Sequence, residues 1–244
     1  MSKFFFPPNA LEKNCCTLIG DTAHHMLHVL RMKPGAYAIL CDGKGMDYKA
    51  VLTESNPKGP TAVFSVLEST PCQTESKVSV TLYQSLPKGD KMEWIIQKCV
   101  ELGIYKIVPI CTARTVVRIK DAEKKTTRYQ RIAEGAAAQS MRGIIPEVSS
   151  PLPFCKALDK KGQEDIWIAA WENENNRSIA SVLQGSPPKS IGLWIGPEGG
   201  FETDEIAALQ VSGAIPITLG RRILRTETAS MAGLIQILCV WEAL

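Results

Sequence analysis

The sequence predicts a two-part protein: a small β-rich domain followed by an α/β domain built on a parallel sheet. Up to about residue 70, short apolar runs alternate with turn signals. Beyond Lys77, strand-like and helix-like runs alternate over about 170 residues. With 45% apolar residues in a chain of 244, there is enough hydrophobic surface for packed cores in both parts.

In the first part, strands are expected at Ala36–Cys41, Asp47–Thr53 and Ala62–Leu67, the first two joined by Asp42-Gly43, a dipeptide that tolerates positive φ and so suits a hairpin. A helix over Asp21–Arg31, capped by Asp21 and ended by Pro34-Gly35, interrupts them. The pattern turns polar around Thr70–Lys77, which sets the boundary: residues 1–72 form a compact β-barrel domain and 73–244 the α/β domain. There, strand Val78–Gln84, helix Lys91–Leu102 capped by Asp90 and stopped by Gly103, and strand Lys106–Ile110 make a βαβ unit. A long helix at Ala122–Met141 follows, then strand Ile166–Trp171, helix Ser178–Leu183, strand Ile191–Ile195, helix Asp204–Val211, strand Pro216–Leu219 and a final apolar helix Thr228–Trp241.

Composition excludes several classes. The start, Met1-Ser-Lys-Phe-Phe-Phe-Pro-Pro, is too short in apolar residues for a signal peptide or a membrane span, so a cytoplasmic, membrane-free protein is expected. Eight cysteines occur without a Cys-x-x-Cys pair, which argues against a zinc site or a disulfide framework and for reduced thiols. His24 and His28 stand four apart, but no Glu-x-x-His context or third ligand accompanies them, so packing or RNA contact is the stronger reading and no metal is expected. Net charge is only +3, yet the segment Arg114–Arg131 carries +5 and leaves the rest at −2. Such a concentration attracts phosphates, or else marks a solvated helix face.

Two segments stand out as chemistry-bearing. Leu193-Trp-Ile-Gly-Pro-Glu-Gly-Gly200 is a buried strand running into a glycine turn, the place where open α/β sheets bind ligands. It matches neither a Walker loop nor a dinucleotide fingerprint, and Asp204 and Glu205 at the next helix start argue against a phosphate there. Leu219-Gly-Arg-Arg-Ile-Leu-Arg-Thr-Glu-Thr-Ala229 is again a strand end, a glycine and a helix start. It places three arginines and a glutamate beside an apolar element, where charge is costly unless paired or used. A third segment puts Gln139 and Arg142 three apart, on one face near a helix end. No Ser-His-Asp order or activated thiolate stands out.

Together with His25-Met-Leu-His-Val-Leu-Arg31, Asp42-Gly-Lys-Gly45, Lys88-Gly-Asp-Lys-Met-Glu-Trp94 and Gln139-Ser-Met-Arg142, these segments resemble the RsmE family, the 16S rRNA uridine-N3 methyltransferases of the SPOUT class. The likeness spans nearly the whole chain. It implies an N-terminal PUA-like β-barrel that helps hold RNA and a C-terminal α/β SPOUT domain with a trefoil knot, acting as a homodimer on 16S rRNA or the small ribosomal subunit. It further implies that S-adenosylmethionine is held by Gly196, Gly199, Leu219, Gly220, Ile223, Leu224, Arg225, Thr226, Glu227 and Ala229, with Ala170, Trp171 and Glu172 as a third wall. Where the family carries an acid before the Gln-Ser pair, Ala138 stands here.

Methyl transfer to uridine N3 needs alignment, a cation to stabilise the developing anion and a group to accept the N3 proton. Arg225 is the expected cation, and Glu198 or Glu227 the expected base or orienting group. Arg31, Lys88, Arg114, Arg118, Arg128, Gln139 and Arg142 are the expected RNA contacts. A pure RNA-binding module would explain the barrel and the basic stretch but leaves residues 219–229 without purpose; a SPOUT enzyme acting on tRNA or at another position remains a closer alternative.

Overall fold

The computed structural model describes residues 3–117, 121–160 and 162–241, and these divide into two compact units. The first takes the chain up to Glu75 and, in addition, residues 137–145; the second takes 76–136 and 146 onward. The first unit therefore runs three residues past the expected boundary and also claims a stretch that the sequence reading gives to the α/β domain.

In the first unit, strands β1 (Lys3–Phe5), β2 (Leu11–Glu12), β3 (Cys15–Ile19), β4 (Tyr37–Cys41), β5 (Met46–Asn56) and β6 (Thr61–Pro71) form one sheet in the order β1-β4-β5-β6-β3-β2. All neighbours are antiparallel except β1 and β4. Two register shifts between β5 and β6 bend the long ribbon, as bulges do. The turn from β4 to β5 closes where the sequence places it: Asp42 Oδ1 accepts from the N–H of Lys44 (2.8 Å) and Met46 (3.1 Å), with Gly43 and Gly45 at positive φ. Inward-facing residues pack Phe4, Leu18, Met26, Leu40, Leu52 and Phe64 into a single core.

The helix expected at Asp21–Arg31 is shorter and widens partway. It begins as α1 (Gly20–His24), continues as a π-helical turn over His25–Val29 and stops before Arg31, which has positive φ. Asp21 does not cap it: the N-cap is Ile19, with no side-chain cap bond, and Asp21 lies in the first turn. The His24 and His28 rings stack at 4.5 Å, and His28 Nε2 lies 3.0 Å from Pro57 O.

Residues 137–145 are fastened to this unit by buried polar groups. Lys3, 5% exposed, pairs with Asp47 at 2.8 Å and donates to Met141 O and Arg142 O. Arg142 pairs with Glu75 at 2.6 Å, and Glu75 Oε1 also accepts from the N–H of Gly143 and Ile144. A Cβ at Gly143 would sit 2.4 Å from Cys72 Cβ, so only glycine fits. The expectation for Arg142 is thereby corrected. Met141 at φ +61 ends the helical path, Arg142 shares no helix face with Gln139, and its side chain is 4% exposed and committed to Glu75 rather than open to RNA phosphate.

The second unit carries β7 (Ser79–Ser85), α2 (Lys91–Glu101), β8 (Lys106–Cys111), α3 (Ala122–Gln139, its last residues counted with the first unit), β9 (Glu147–Val148), β10 (Leu152–Pro153), α4 (Phe154–Leu158), β11 (Ile166–Ala170), α5 (Ile179–Val182), β12 (Ser190–Ile195), α6 (Thr203–Val211), β13 (Ile215–Ile217) and α7 (Thr226–Trp241). Its sheet has the order β10-β8-β7-β12-β11-β13, with β9 beside β8, and every pairing is parallel. Parallel strands covered by helices read as apolar runs, which is why they were legible. Asp90 stands at the N-cap of α2, but its side chain makes no cap bond. Tyr83 stacks on fully buried Trp194 at 4.2 Å and centres the core under α6.

Candidate functional site

Parallel strands that end side by side leave a crevice at their carboxyl ends, and here three such ends meet around one cavity of about 530 Å3, within the usual range for ligand sites. Its walls are the turn after β11 (Trp171, Glu172, Asn175), the glycine turn after β12 (residues 196–200) and the loop from β13 into α7 (residues 218–225). Of the cofactor residues expected from the sequence, Ala170, Trp171, Glu172, Gly196, Gly199, Leu219, Gly220, Ile223, Leu224, Arg225, Thr226 and Ala229 all line it.

Glu227 does not. It sits in the first turn of α7, outside the cavity wall, with its carboxylate turned to Lys91 at 3.6 Å. The sequence reading put it on the cofactor because it continues a loop that does line the cavity; the first helical turn rotates its side chain away.

The glycines are there for close approach. A Cβ at Gly196 would come within 3.0 Å of Gly200 C and Phe201 N, and one at Gly200, where φ is +69, would lie 2.5 Å from Glu172 Oε1. Beneath the loops runs a buried polar chain. Gln84, at the end of β7, donates to Thr226 Oγ1 (2.9 Å) and accepts from Ser230 Oγ, and Thr226 Oγ1 donates to Gly196 O (2.7 Å). The end of the central strand thus locks α7 to the glycine turn. At the far side of that turn, α6 opens with a capping box between Glu202 and Glu205, so the dipole's positive end is already occupied.

The charged groups divide by partner. Glu198, on the wall, accepts from the backbone N–H of Lys88 (3.0 Å) and from Lys91 Nζ (3.1 Å). Burial pushes its carboxyl up, but its own backbone N–H, that of Lys88 and the Lys91 ammonium outweigh this and hold it below the ordinary value. Lys91 is raised, first by its hydrogen bond to Glu198 and against some desolvation. Arg225 lines the cavity, is exposed, and among the described residues has no carboxylate within ion-pair distance.

The expected RNA contacts are dispersed. Arg114 donates to Gly199 O and approaches Glu202 at 3.7 Å, beside the glycine turn. Arg128 is held by both carboxylate oxygens of Glu93 at 2.8 Å, so the fork assigned to phosphate is occupied within the unit. Arg31, Lys88 and Gln139 are exposed, and Arg118 lies outside the described residues.

Sequence reading passed over Lys91, Gln84 and Ser230. For Lys91 a signal existed: a cation at the first position of a helix faces the positive end of the dipole and is unfavourable there without an acidic partner. For Gln84 and Ser230, 146 residues apart, nothing local marks the pair.

The residues fit S-adenosylmethionine by their chemistry. Leu219, Ile223, Leu224 and Ala229 offer apolar surface for a flat ring, Ile223 being 89% exposed, while Glu172 and Arg225 offer charge for a zwitterionic tail.

Comparisons with known proteins identify the family. Residues 74–238 match the family model of an RNA methyltransferase domain, and residues 18–65 that of an RNA methyltransferase PUA domain. The chain is 37% identical over 225 residues to the ribosomal RNA small subunit methyltransferase E of Bacillus subtilis, covering 89% of this chain and 87% of that one. It is 34% identical over 238 residues to the enzyme of the same name from Synechocystis, covering 97% and 77%. Among solved structures, a ribosomal RNA small subunit methyltransferase E from Neisseria gonorrhoeae bound to S-adenosyl methionine superimposes with a TM-score of 0.89 at 33% identity, covering 99% and 98%.

Proposed function

The chain belongs to the RNA methyltransferase family, among the ribosomal RNA small subunit methyltransferases E, and from that premise we propose how its residues act. It has the SPOUT α/β fold with an N-terminal PUA-like domain, and it is an S-adenosylmethionine-dependent methyltransferase of small-subunit ribosomal RNA. The acceptor atom is N3 of a uridine. The observation that carries the assignment of roles is the pairing of an uncommitted cation, Arg225, with a carboxylate kept charged, Glu198, on the wall of one cavity.

The cofactor, when bound, supplies an electrophilic methyl carbon on a sulfonium. The three loops hold and orient it, their shape set by the glycines and by the Gln84–Thr226–Gly196 chain. Glu198 receives the N3 proton of the acceptor uracil, and its depressed pKa lets it pass that proton on to solvent. Arg225 stabilises the negative charge that spreads over the base as the proton leaves. Glu227 acts behind the wall, through Lys91. Lys88 and Arg114, at the rim of the same loops, meet the RNA backbone.

The same reading takes the enzyme as a cytoplasmic homodimer; Trp94 and Tyr105, large side chains left half exposed on the second unit, are surface that such an interface would cover. No helix among the described residues is long and apolar enough to cross a membrane.

Two measurements test it. Calorimetric titration with S-adenosylmethionine should show binding that Gly220→Trp abolishes, since an indole there enters the cavity from a backbone at φ +122. Mass spectrometry of 16S rRNA or small subunits treated with enzyme and cofactor should find 3-methyluridine. Methylation at another atom would overturn the acceptor assignment, and unaltered binding by Gly220→Trp would move the cofactor elsewhere.

A further inference from the structure

Lys91 opens α2 with its charge at the positive end of the helix dipole, and its ammonium lies between two carboxylates from distant parts of the chain. Glu198 is 3.1 Å away on the turn after β12, and Glu227 3.6 Å away in the first turn of α7. We propose that Lys91 is a positioning residue for proton removal from the acceptor base: its ammonium joins Glu198 to Glu227 and keeps the Glu198 carboxylate, charged, at the cavity wall. This rests on the reading of Glu198 as the proton acceptor.

Three observations support it. Glu227 Oε2 is buried and has no hydrogen-bond partner among the described residues, so the ammonium is its nearest compensation. Two carboxylates converging on one point repel, and the ammonium between them offsets that repulsion, the Glu227 side chain being 16% exposed. Lys91 also lines the cavity, so its pairing bears directly on the space where the acceptor base must sit.

The charged groups that line this cavity or pair with the cluster are Glu198 after β12, Glu227 in α7, Arg221, Arg222 and Arg225 in the loop before α7 and Glu172 after β11. Arg225 and Glu172 make no ion pair with the cluster. Lys91 cannot itself serve as the base, because its pKa is raised and it stays protonated at working pH.

The test is the pH dependence of single-turnover methylation of small-subunit rRNA by wild type, Lys91→Met, Lys91→Arg, Glu227→Gln and Glu198→Gln, with calorimetric affinity for S-adenosylmethionine measured alongside. Lys91→Met should slow turnover by roughly tenfold to a hundredfold, a loss typical of a misplaced catalytic group. It should also move the acid limb of the profile to higher pH and leave cofactor affinity within about threefold, well short of the tenfold that 1.4 kcal/mol would give. Lys91→Arg should recover most of the rate. Glu227→Gln, which removes the competing carboxylate and keeps Lys91 on Glu198, should move the acid limb the opposite way, and it reports even if Lys91→Met fails to fold. An acid limb unmoved in both Lys91→Met and Glu227→Gln overturns the proposal. Full activity in Glu198→Gln would instead remove the proton-acceptor reading on which it stands.

Discussion

Arg142 and Arg225 are both arginines set among apolar residues near a helix end, and the two units treat them in opposite ways. In the first unit Arg142 is sunk beneath the surface and closed off by Glu75, whose second contacts are backbone N–H groups of the same segment. In the second unit Arg225 stands at a cavity edge, exposed and without a carboxylate among the described residues. A buried ion pair fixes geometry and is damaged chiefly when one partner is lost. An unpaired cation beside a cavity adds nothing to folding and can act only on what enters. The first arginine fastens residues 137–145 to the sheet; the second, in the proposed mechanism, meets the charge that develops on a substrate.

That contrast can be broken in order of effect. Glu75→Ala leaves Arg142 buried without a counter-charge and should lower stability by about 3–5 kcal/mol in denaturant unfolding. A loss below about 1 kcal/mol would mean that the fastening is decorative. Arg225→Ala should cut the methylation rate by about 100- to 1000-fold, the cost of removing one preorganised charge stabiliser. Its stability should stay within about 0.5 kcal/mol of wild type. Arg128→Ala sharpens the picture between these extremes. Its pair with Glu93 is exposed, so the stability change should be under about 1 kcal/mol. The salt slope of RNA binding should not move, whereas a phosphate contact would reduce the slope by about one.

Most of the architecture could be read from local pattern because the second unit's strands are buried on both faces and so appear as apolar runs such as Ile166–Ala170 and Ile191–Ile195. The glycine turn and the arginine loop were legible for a similar reason, since each is a local sequence feature at a strand end. What escaped depends on distance along the chain. Strand β1 is three residues long and pairs in parallel with Ile39–Cys41, and no periodicity in three residues announces a strand. Arg142 was misassigned because helical spacing was extended past Met141, whose positive φ cannot be read from its side chain. Lys91 and Glu198 are 107 residues apart, and only the sheet order, which sets β7 beside β12, brings their loops together.

The chain of hydrogen bonds from Gln84 through Thr226 to Gly196 has a temporal meaning as well. Gln84 must wait for residues 142 and 146 positions downstream before its amide is satisfied. A nascent chain that has emerged as far as Gly200 already owns most of the sheet and the glycine turn, yet the bond that ties Gly196 O to α7 waits for Thr226. Contacts of such long span form late, because loop closure precedes their reward. By that principle the bond that ties the glycine turn to α7 forms after the local contacts of the scaffold.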